Sequence, residues 1–424
     1  MQILGVILVA LVSVRLLQSI IAAVQSHSNA RHRTQRTLQL LDEQIAAVQA
    51  LRVQRESQQM HWNGYRKFKL SKKIKEARDV CSFYLVPHDG KPLPRYLPGQ
   101  FVTFRFQVPD PNKGQMKSVV RCYSLSEAPR EQYYRITVKR VPPPARTNIP
   151  PGLISNYLHD QVNVGDLLDL QAPRGEFSLD PANSKPVVLI GGGVGVTPVL
   201  SIANAILESE TGNDVWFLYG VRCGEDHAMR DHLRQLEQKH ENFHLHVRYS
   251  QPGENDLCER DYDTSGHIDI NLIKSLVKVT NLDFYICGPP QMMDSIVTGL
   301  RDWGVAEDHI HREAFGRATL SKVANKDETQ LKHDKLDSKK TLSIQFNRSN
   351  RNLTWDGSHN CLLDLALEAG INIDSGCRAG SCGSCEIAVK SGEVGCRVEP
   401  GINIDKGSCL ACISYPKSEL ILDA

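Results

Sequence analysis

The tightest constraint on this 424-residue chain is a run of three cysteines near its C-terminal end, Cys377-x4-Cys382-x2-Cys385, followed by Cys396, Cys409 and Cys412. That spacing, with a fourth cysteine farther on, is the one by which four thiolates hold a 2Fe-2S cluster. Ala379, Gly380, Ser381, Gly383 and Ser384 keep the loop small, so its backbone N–H groups can turn toward cluster sulfurs. An ordinary flexible turn would also be rich in small residues, but it has no need of the cysteine spacing. A zinc site fits poorly, because a four-residue gap followed by a two-residue gap with no histidine is not zinc-finger spacing. Twelve cysteines in 424 residues is far below the density of a small disulfide scaffold. Spacing leaves the fourth ligand open between Cys409 and Cys412; Cys361 and Cys396 read as bystanders.

Around this loop the pattern is that of a small separate unit, residues 341–424. TLSIQF alternates as a strand from Thr341, NLTW is its candidate partner, and CLLDLALEAG at 361–370 has helical period with Gly370 as its stop. The preceding segment, 318–340, is charged and free of aromatics, which reads as a linker. A chain of this length predicts two to four domains. Near-average hydrophobic (41%) and charged (23%) fractions exclude a wholly disordered chain and a multi-span membrane protein. A formal charge of +2 offers no global reason to expect nucleic acid as a partner.

At the other end, Ile3 to Val24 is an apolar run of 22 residues, long enough as a helix to cross a bilayer once. Arg15 opposes this by about 2.5–3.5 kcal/mol, which the remaining apolar residues offset. No basic segment precedes the run and no clear small-x-small cleavage site follows it, so a retained anchor is expected over residues 1–25 rather than a signal peptide. Arg31, Arg33 and Arg36 flank only its C-terminal side, which predicts a single-pass protein with its catalytic domains in the cytoplasm. Leu38, Leu41, Ile45 and Val48 recur at three- and four-residue steps, marking a spacer helix within 26–61.

Between the ends lie two more units. Residues 62–180 contain VCSFYLVP, QFVTFRFQV and YYRITVKRV separated by Pro, Gly and Asn clusters, a spacing that predicts a small antiparallel β-barrel. There Arg121-Cys-Tyr123-Ser124 combines a phosphate-binding cation, an aromatic and a hydroxyl in one strand, and Gly152-Leu-Ile-Ser155 opens a helix whose N–H groups suit a pyrophosphate. Such a set fits a flavin nucleotide. Residues 181–317 open with KPVVLIGGGVGVTPVL, a buried strand running into Gly191, Gly192, Gly193, Gly195, Thr197 and Pro198 and then an apolar helix. Pro198 stands where the dinucleotide fingerprint has its third glycine. VWFLYGVR and DFYICGPPQMM continue the β/α alternation of a parallel sheet with ligands at the strand C-termini.

Across YLPGQFVTF, RCYSLS, YRITVKRV, GLISNYLHD and GDLLDLQAPRGEF the chain resembles the ferredoxin-NADP reductase superfamily. The resemblance implies a flavin held by Arg121, Tyr123, Ser124, Gly152 and Ser155, with Tyr123 stacked on the isoalloxazine and Ser124 near its N5. GLISNYLHDQVNVGD is most similar to the flavohaemoglobin reductase region, which implies FAD; phthalate-dioxygenase-type reductases use FMN. The same resemblance implies a nicotinamide coenzyme site at Gly193, Gly195, Thr197 and Pro198 and at Cys287, Gly288 and Pro289. It places Glu313 near the hydride-transfer centre and Phe315 near the flavin, with Ser124, Cys287 and Glu313 as the catalytic set. CLACISYP resembles the plant-type ferredoxin segment in which Cys412 is the ligand, so the metal set becomes Cys377, Cys382, Cys385 and Cys412 in an α+β, β-grasp ferredoxin domain. Glu225 and Asp226, close behind Arg222, would repel a 2′-phosphate, which favours NADH over NADPH.

The order flavin, nicotinamide, ferredoxin is similar to that of some oxygenase reductases and hybrid-cluster-protein reductases. It implies an enzyme that takes an electron pair from NADH, divides it on FAD and delivers single electrons through the cluster. The expected recipient is a separate, membrane-associated acceptor protein such as an oxygenase, hydroxylase or desaturase. The alternatives are a subunit of a respiratory NADH dehydrogenase-type complex, whose known sodium-pumping form has the opposite domain order, and a non-catalytic redox sensor.

Overall fold

The computed structural model describes residues 62, 64–109, 114–143, 150–179, 185–209, 212–315, 341–398, 400–402 and 404–424. The apolar run at 3–24, the spacer helix expected within 26–61 and the linker at 318–340 lie outside them. Among the described residues no helix is long and apolar enough to cross a membrane.

The flavin-type unit is antiparallel. Its strands are β1 (Arg66–Ala77), β2 (Val80–Pro87), β3 (Phe101–Pro109), β4 (Met116–Ser124), β5 (Tyr134–Lys139) and β6 (Leu167–Leu170), in sheet order β4-β3-β6-β1-β2-β5, with helix α1 at Leu153–Asp160. Alternation decides which face is core. In β1, Phe68 and Leu70 are buried while the lysines beside them face out. An antiparallel bridge between Leu125 and Ile136 joins the two sheet edges, curling the sheet around a core of Phe68, Phe83, Phe104, Tyr134 and Leu158. Lys73 Nζ donates to the carbonyls of Leu158, His159 and Val162 at 3.1, 2.7 and 3.0 Å, covering the C-terminal end of α1.

The second unit is a parallel sheet in the order β10-β9-β8-β7-β11-β12. Its strands are β7 (Val187–Gly192), β8 (Val215–Val221), β9 (Phe243–Tyr249), β10 (Thr264–Ser265), β11 (Asp283–Cys287) and β12 (Ile310–Glu313). Helices α2 (Val196–Glu208), α3 (Arg230–Lys239), α4 (Ile270–Leu276) and α5 (Pro290–Asp302) make the connections. The strand order reverses between β7 and β11, the place where open α/β sheets leave a crevice at their strand C-termini. Helix α2 buries 11 of its 13 residues, which requires partners on two sides. One side meets the sheet. From the other, Ser201 Oγ donates to the Glu127 carbonyl at 2.6 Å and Asn204 Nδ2 to Glu127 Oε1 at 3.1 Å, docking the flavin-type unit.

The third unit has β13 (Leu342–Phe346) and β14 (Arg351–Trp355) as a hairpin, α6 (Leu362–Glu368), then β15 (Glu386–Ser391), β16 (Val394–Cys396), β17 (Ser408–Leu410), β18 (Ser414–Pro416) and β19 (Leu420–Leu422). The main sheet runs β14-β13-β19-β15-β17, and β16 pairs with β18. β19 lies parallel to β13 and antiparallel to β15, so the chain's last strand sits at the middle of the sheet. Gly370, just past α6, has φ +77°, the left-handed conformation that ends a helix.

Candidate active site

Register brings the glycine turn and the CGPP loop together. In the parallel pairing of β7 with β11, Gly191 stands opposite Cys287, so the turn after one strand meets the loop after the other. A Cβ on Gly195 would lie 2.2 Å from the Cys287 carbonyl oxygen and 2.8 Å from the Gly288 nitrogen, so the two backbones touch there and only glycine fits. Gly193 has φ +55° and opens the tight turn into α2. Thr197 Oγ1 donates to the Val194 carbonyl at 3.1 Å, with Pro198 in the first turn of the helix. Pro289 caps α5, and Gly288 faces the Gly192 backbone. Gly193 also lines a small hollow with Arg222 and Asp226.

The flavin-type unit contributes β4. Its pairing with β3 sets Tyr123 opposite Val102 and Ser124 opposite Phe101, and Phe104 meets the Tyr123 ring edge-on at 5.6 Å. Burial pushes the Tyr123 phenol well above its ordinary value, so it stays neutral. β12 runs beside β11 with Glu313 opposite Cys287, which carries the Glu313 carboxyl to the flavin-type unit, and Ser124 Oγ donates to its Oε2 at 3.2 Å. Glu313 keeps some surface toward the cleft, yet loss of hydration pushes its carboxyl up to about 8 against the opposing pull of the Ser124 bond. Cys287 is fully buried, and burial first, then the neighbouring Glu313, raises its thiol.

A cavity of about 810 Å³ lies between these elements. Arg121, Tyr123, Ser124, Gly152, Ser155, Thr197, Glu313 and Phe315 line it, and so do Cys377, Arg378, Ala379 and Ser381 from the cysteine loop. Cys287, Gly195, Pro198, Gly288 and Pro289 are not among its lining residues; the close approach of Gly195 to Cys287 and Gly288 holds the two neighbouring turns together. Ser155 Oγ is engaged in local structure: it accepts from Val141 N–H at 3.2 Å and donates to the Gly152 carbonyl at 3.2 Å.

The cysteines come in two pairs. Cys377 N–H donates to Cys382 Sγ at 3.3 Å and the two thiols adjoin; Ala379 and Ser381 N–H donate to Cys377 Sγ at 3.4 and 3.3 Å. Cys412 adjoins Cys385 and faces the Gly380 backbone. Cys409 sits on β17 opposite Ile387 and turns toward the Ser414 hydroxyl instead. Among the described residues no three His, Cys, Asp or Glu side chains converge as a single metal ion would need. Two thiol pairs with inward N–H groups fit a two-iron cluster, which takes two sulfurs per iron.

Three family models cover the three units: an oxidoreductase FAD-binding domain at residues 67–179, an oxidoreductase NAD-binding domain at 189–298 and a 2Fe-2S iron-sulfur cluster binding domain at 344–417. The structure is similar to the flavohem-like FAD/NAD binding domain of nitric oxide dioxygenase from Vibrio cholerae, at 32% identity and TM-score 0.51, covering 60% of this chain and 100% of that one. The chain belongs to the ferredoxin-NADP reductase superfamily. Within the superfamily, a flavohemoprotein of Halalkalibacterium halodurans is 40% identical over 257 residues; the match covers 61% of each chain. Phthalate dioxygenase reductase, described as a modular structure for electron transfer from pyridine nucleotides to a 2Fe-2S centre, is 25% identical with TM-score 0.51, over 85% of this chain and 98% of that one. The chain thus carries the FAD, NAD and 2Fe-2S domains of an oxidoreductase of this superfamily.

Some lining residues escaped sequence reading. Glu176 and Phe177 were visible only as part of GEF, with no chemistry attached, while Lys139, Met293 and Arg312 reach the cavity through strand register and helix phase. The alternation of β5 would have put Lys139 on the face of Thr137, but nothing in the sequence says what that face meets.

Proposed function

We propose that this protein is an NADH-dependent reductase that passes electrons through FAD and a 2Fe-2S cluster to a separate acceptor protein. The observation that carries the reading is the single cavity bounded by all three units, with the Ser124–Glu313 contact on the nicotinamide side and the Cys377 loop on the other. FAD, when bound, supplies the exchange between a two-electron donor and one-electron carriers. Arg121 and the N–H groups at the start of α1 hold the phosphates, and Tyr123 and Phe315 face the ring system. Cys377, Cys382, Cys385 and Cys412 hold the cluster, Cys412 being preferred to Cys409 because it adjoins Cys385. Ser124 donates its hydroxyl hydrogen bond to Glu313, and Cys287 shapes the coenzyme side. The apolar run at 3–24 supports a membrane anchor and with it a membrane-associated acceptor, and Arg31, Arg33 and Arg36 on its C-terminal side support catalytic domains on the cytoplasmic side.

Coenzyme preference follows from charge. Asp226 Oδ2 lies 3.2 Å from Arg222 Nε and its Oδ1 lies 3.0 Å from Arg78 Nη2, while Arg78 also bonds Glu225. A 2′-phosphate would meet an arginine already paired with carboxylates. Anaerobic NADH should bleach the flavin and produce the electron paramagnetic resonance signal of a reduced cluster, with kcat/KM at least about tenfold above that for NADPH. A cluster left oxidised by NADH would overturn the electron route, and equal use of NADPH the coenzyme assignment.

Glu313 sets a pH dependence. Because burial raises its carboxyl to about 8, it is protonated at neutral pH and becomes charged as pH rises through that value. A negative charge beside Ser124 opposes arrival of hydride, so stopped-flow flavin reduction by NADH should slow as pH rises through about 8, and Glu313→Gln should flatten that limb. A limb that survives in Glu313→Gln would assign it to another group.

A further inference from the structure

Cys122 stands between Arg121 and Tyr123 on β4, where it pairs with Thr103 of β3, and its Sγ lies 3.4 Å from Thr103 Oγ1. Its thiol also adjoins the thiol of Cys382, in the cysteine loop of another unit. The meeting point is marked by a missing side chain. A Cβ on Gly376 would stand 2.9 Å from Cys122 Sγ, 3.1 Å from Cys382 Sγ and 3.4 Å from Ser384 Oγ, an oxygen shut off from solvent. Gly376 thus clears the space in which the flavin-type strand touches the cysteine loop.

We propose that Cys122 is a positioning residue for the cluster, its S–H donating a hydrogen bond to Cys382 Sγ and tying the strand of Tyr123 and Ser124 to that ligand. The inference rests on the proposed function, in which Cys382 is a cluster ligand. Cys382 Sγ already accepts from the Cys377 N–H at 3.3 Å and has the Ser384 hydroxyl beside it, so what Cys122 adds is a donor from outside the loop. Donors on a ligand sulfur offset the negative charge that reduction adds to a cluster, so losing one lowers the reduction potential. Thr103 holds the Cys122 side chain from behind, and Gly376 leaves the approach open.

The test is a mediator-poised redox titration of the full-length, cluster-loaded protein followed by electron paramagnetic resonance, with electron–nuclear double resonance in H2O and D2O. Wild type should show an exchangeable proton coupling to the cluster beyond those of the loop's own backbone N–H groups. Cys122→Ala should lose that coupling and shift the one-electron equilibrium about threefold toward the oxidised cluster, about 28 mV. Cys122→Ser, which keeps a donor, should restore most of the potential. Gly376→Ala, which keeps the thiol but forces the sulfurs apart, should lower the potential like Cys122→Ala, and it carries the test if that variant does not load. An unchanged potential in Cys122→Ala with the coupling retained would overturn the inference alone, because the titration needs no NADH. A wild type that binds no cluster would overturn it together with the proposed function.

Discussion

Cys382→Ser is expected to remove the visible and paramagnetic signature of the cluster and to cut NADH-driven cytochrome c reduction by more than about 100-fold, while NADH-to-ferricyanide activity stays within about twofold of wild type. The argument is geometric. Cys382 adjoins Cys377 and accepts its N–H, so it belongs to one of two thiol pairs, and a weaker hydroxyl ligand in its place leaves that pair incomplete. Small acceptors served directly by the flavin need no cluster, so hydride uptake and one-electron delivery should separate. The measurement compares both dye activities with FAD content in the purified variant. Collapse of ferricyanide reduction in a folded, FAD-replete protein would reverse the proposed order of carriers.

The second large effect is expected at Gly195. Gly195→Ala puts a methyl group 2.2 Å from the Cys287 carbonyl oxygen and 2.5 Å from its carbon, and backbone atoms held in the parallel register of β7 and β11 cannot turn away as a side chain would. The glycine turn and the CGPP loop must part. Overpacking of this kind costs about 1–3 kcal/mol of stability. Displacement of the coenzyme wall by about 1 Å is enough to slow hydride transfer about 100-fold. Stopped-flow reduction of the flavin by NADH should show that loss, whereas dithionite should still reduce flavin and cluster fully. Reduction by NADH within about twofold of wild type would mean that this crossing does not shape the coenzyme site.

Much of the architecture was legible because its signals are local. The β7–glycine turn–α2 unit follows from a short apolar run, φ-permissive residues and an apolar helix, all within about one βα unit's length. The α6 stop at Gly370 and the β13–β14 hairpin are similarly short-range. Less legible was β1, Arg66–Ala77, whose lysines mask the alternation of Phe68 and Leu70 until the pairing with β2 and β6 shows which face is buried. Arg222 illustrates another limit. Its sequence neighbours Glu225 and Asp226 already argued against a 2′-phosphate, but Arg78, more than a hundred positions earlier, joins the same cluster only because the two units dock.

By itself the sequence determined the kinds of chemistry: three cysteines within nine positions, 377–385, must share one loop, and a glycine-rich turn between strand and helix must expose its backbone. Tertiary structure decided the partners. Cys412 lies beside Cys385 while Cys409, three residues earlier, faces Ser414, because β17 fixes Cys409 opposite Ile387 and the turn that follows points Cys412 the other way. Ser124 meets Glu313 across 189 positions, and Cys122 meets Cys382, through sheet register and the docking of whole units. Spacing limits contacts only over a few residues. Beyond that range, contacts are chosen by which faces the cores of the separate units leave free to pack against each other.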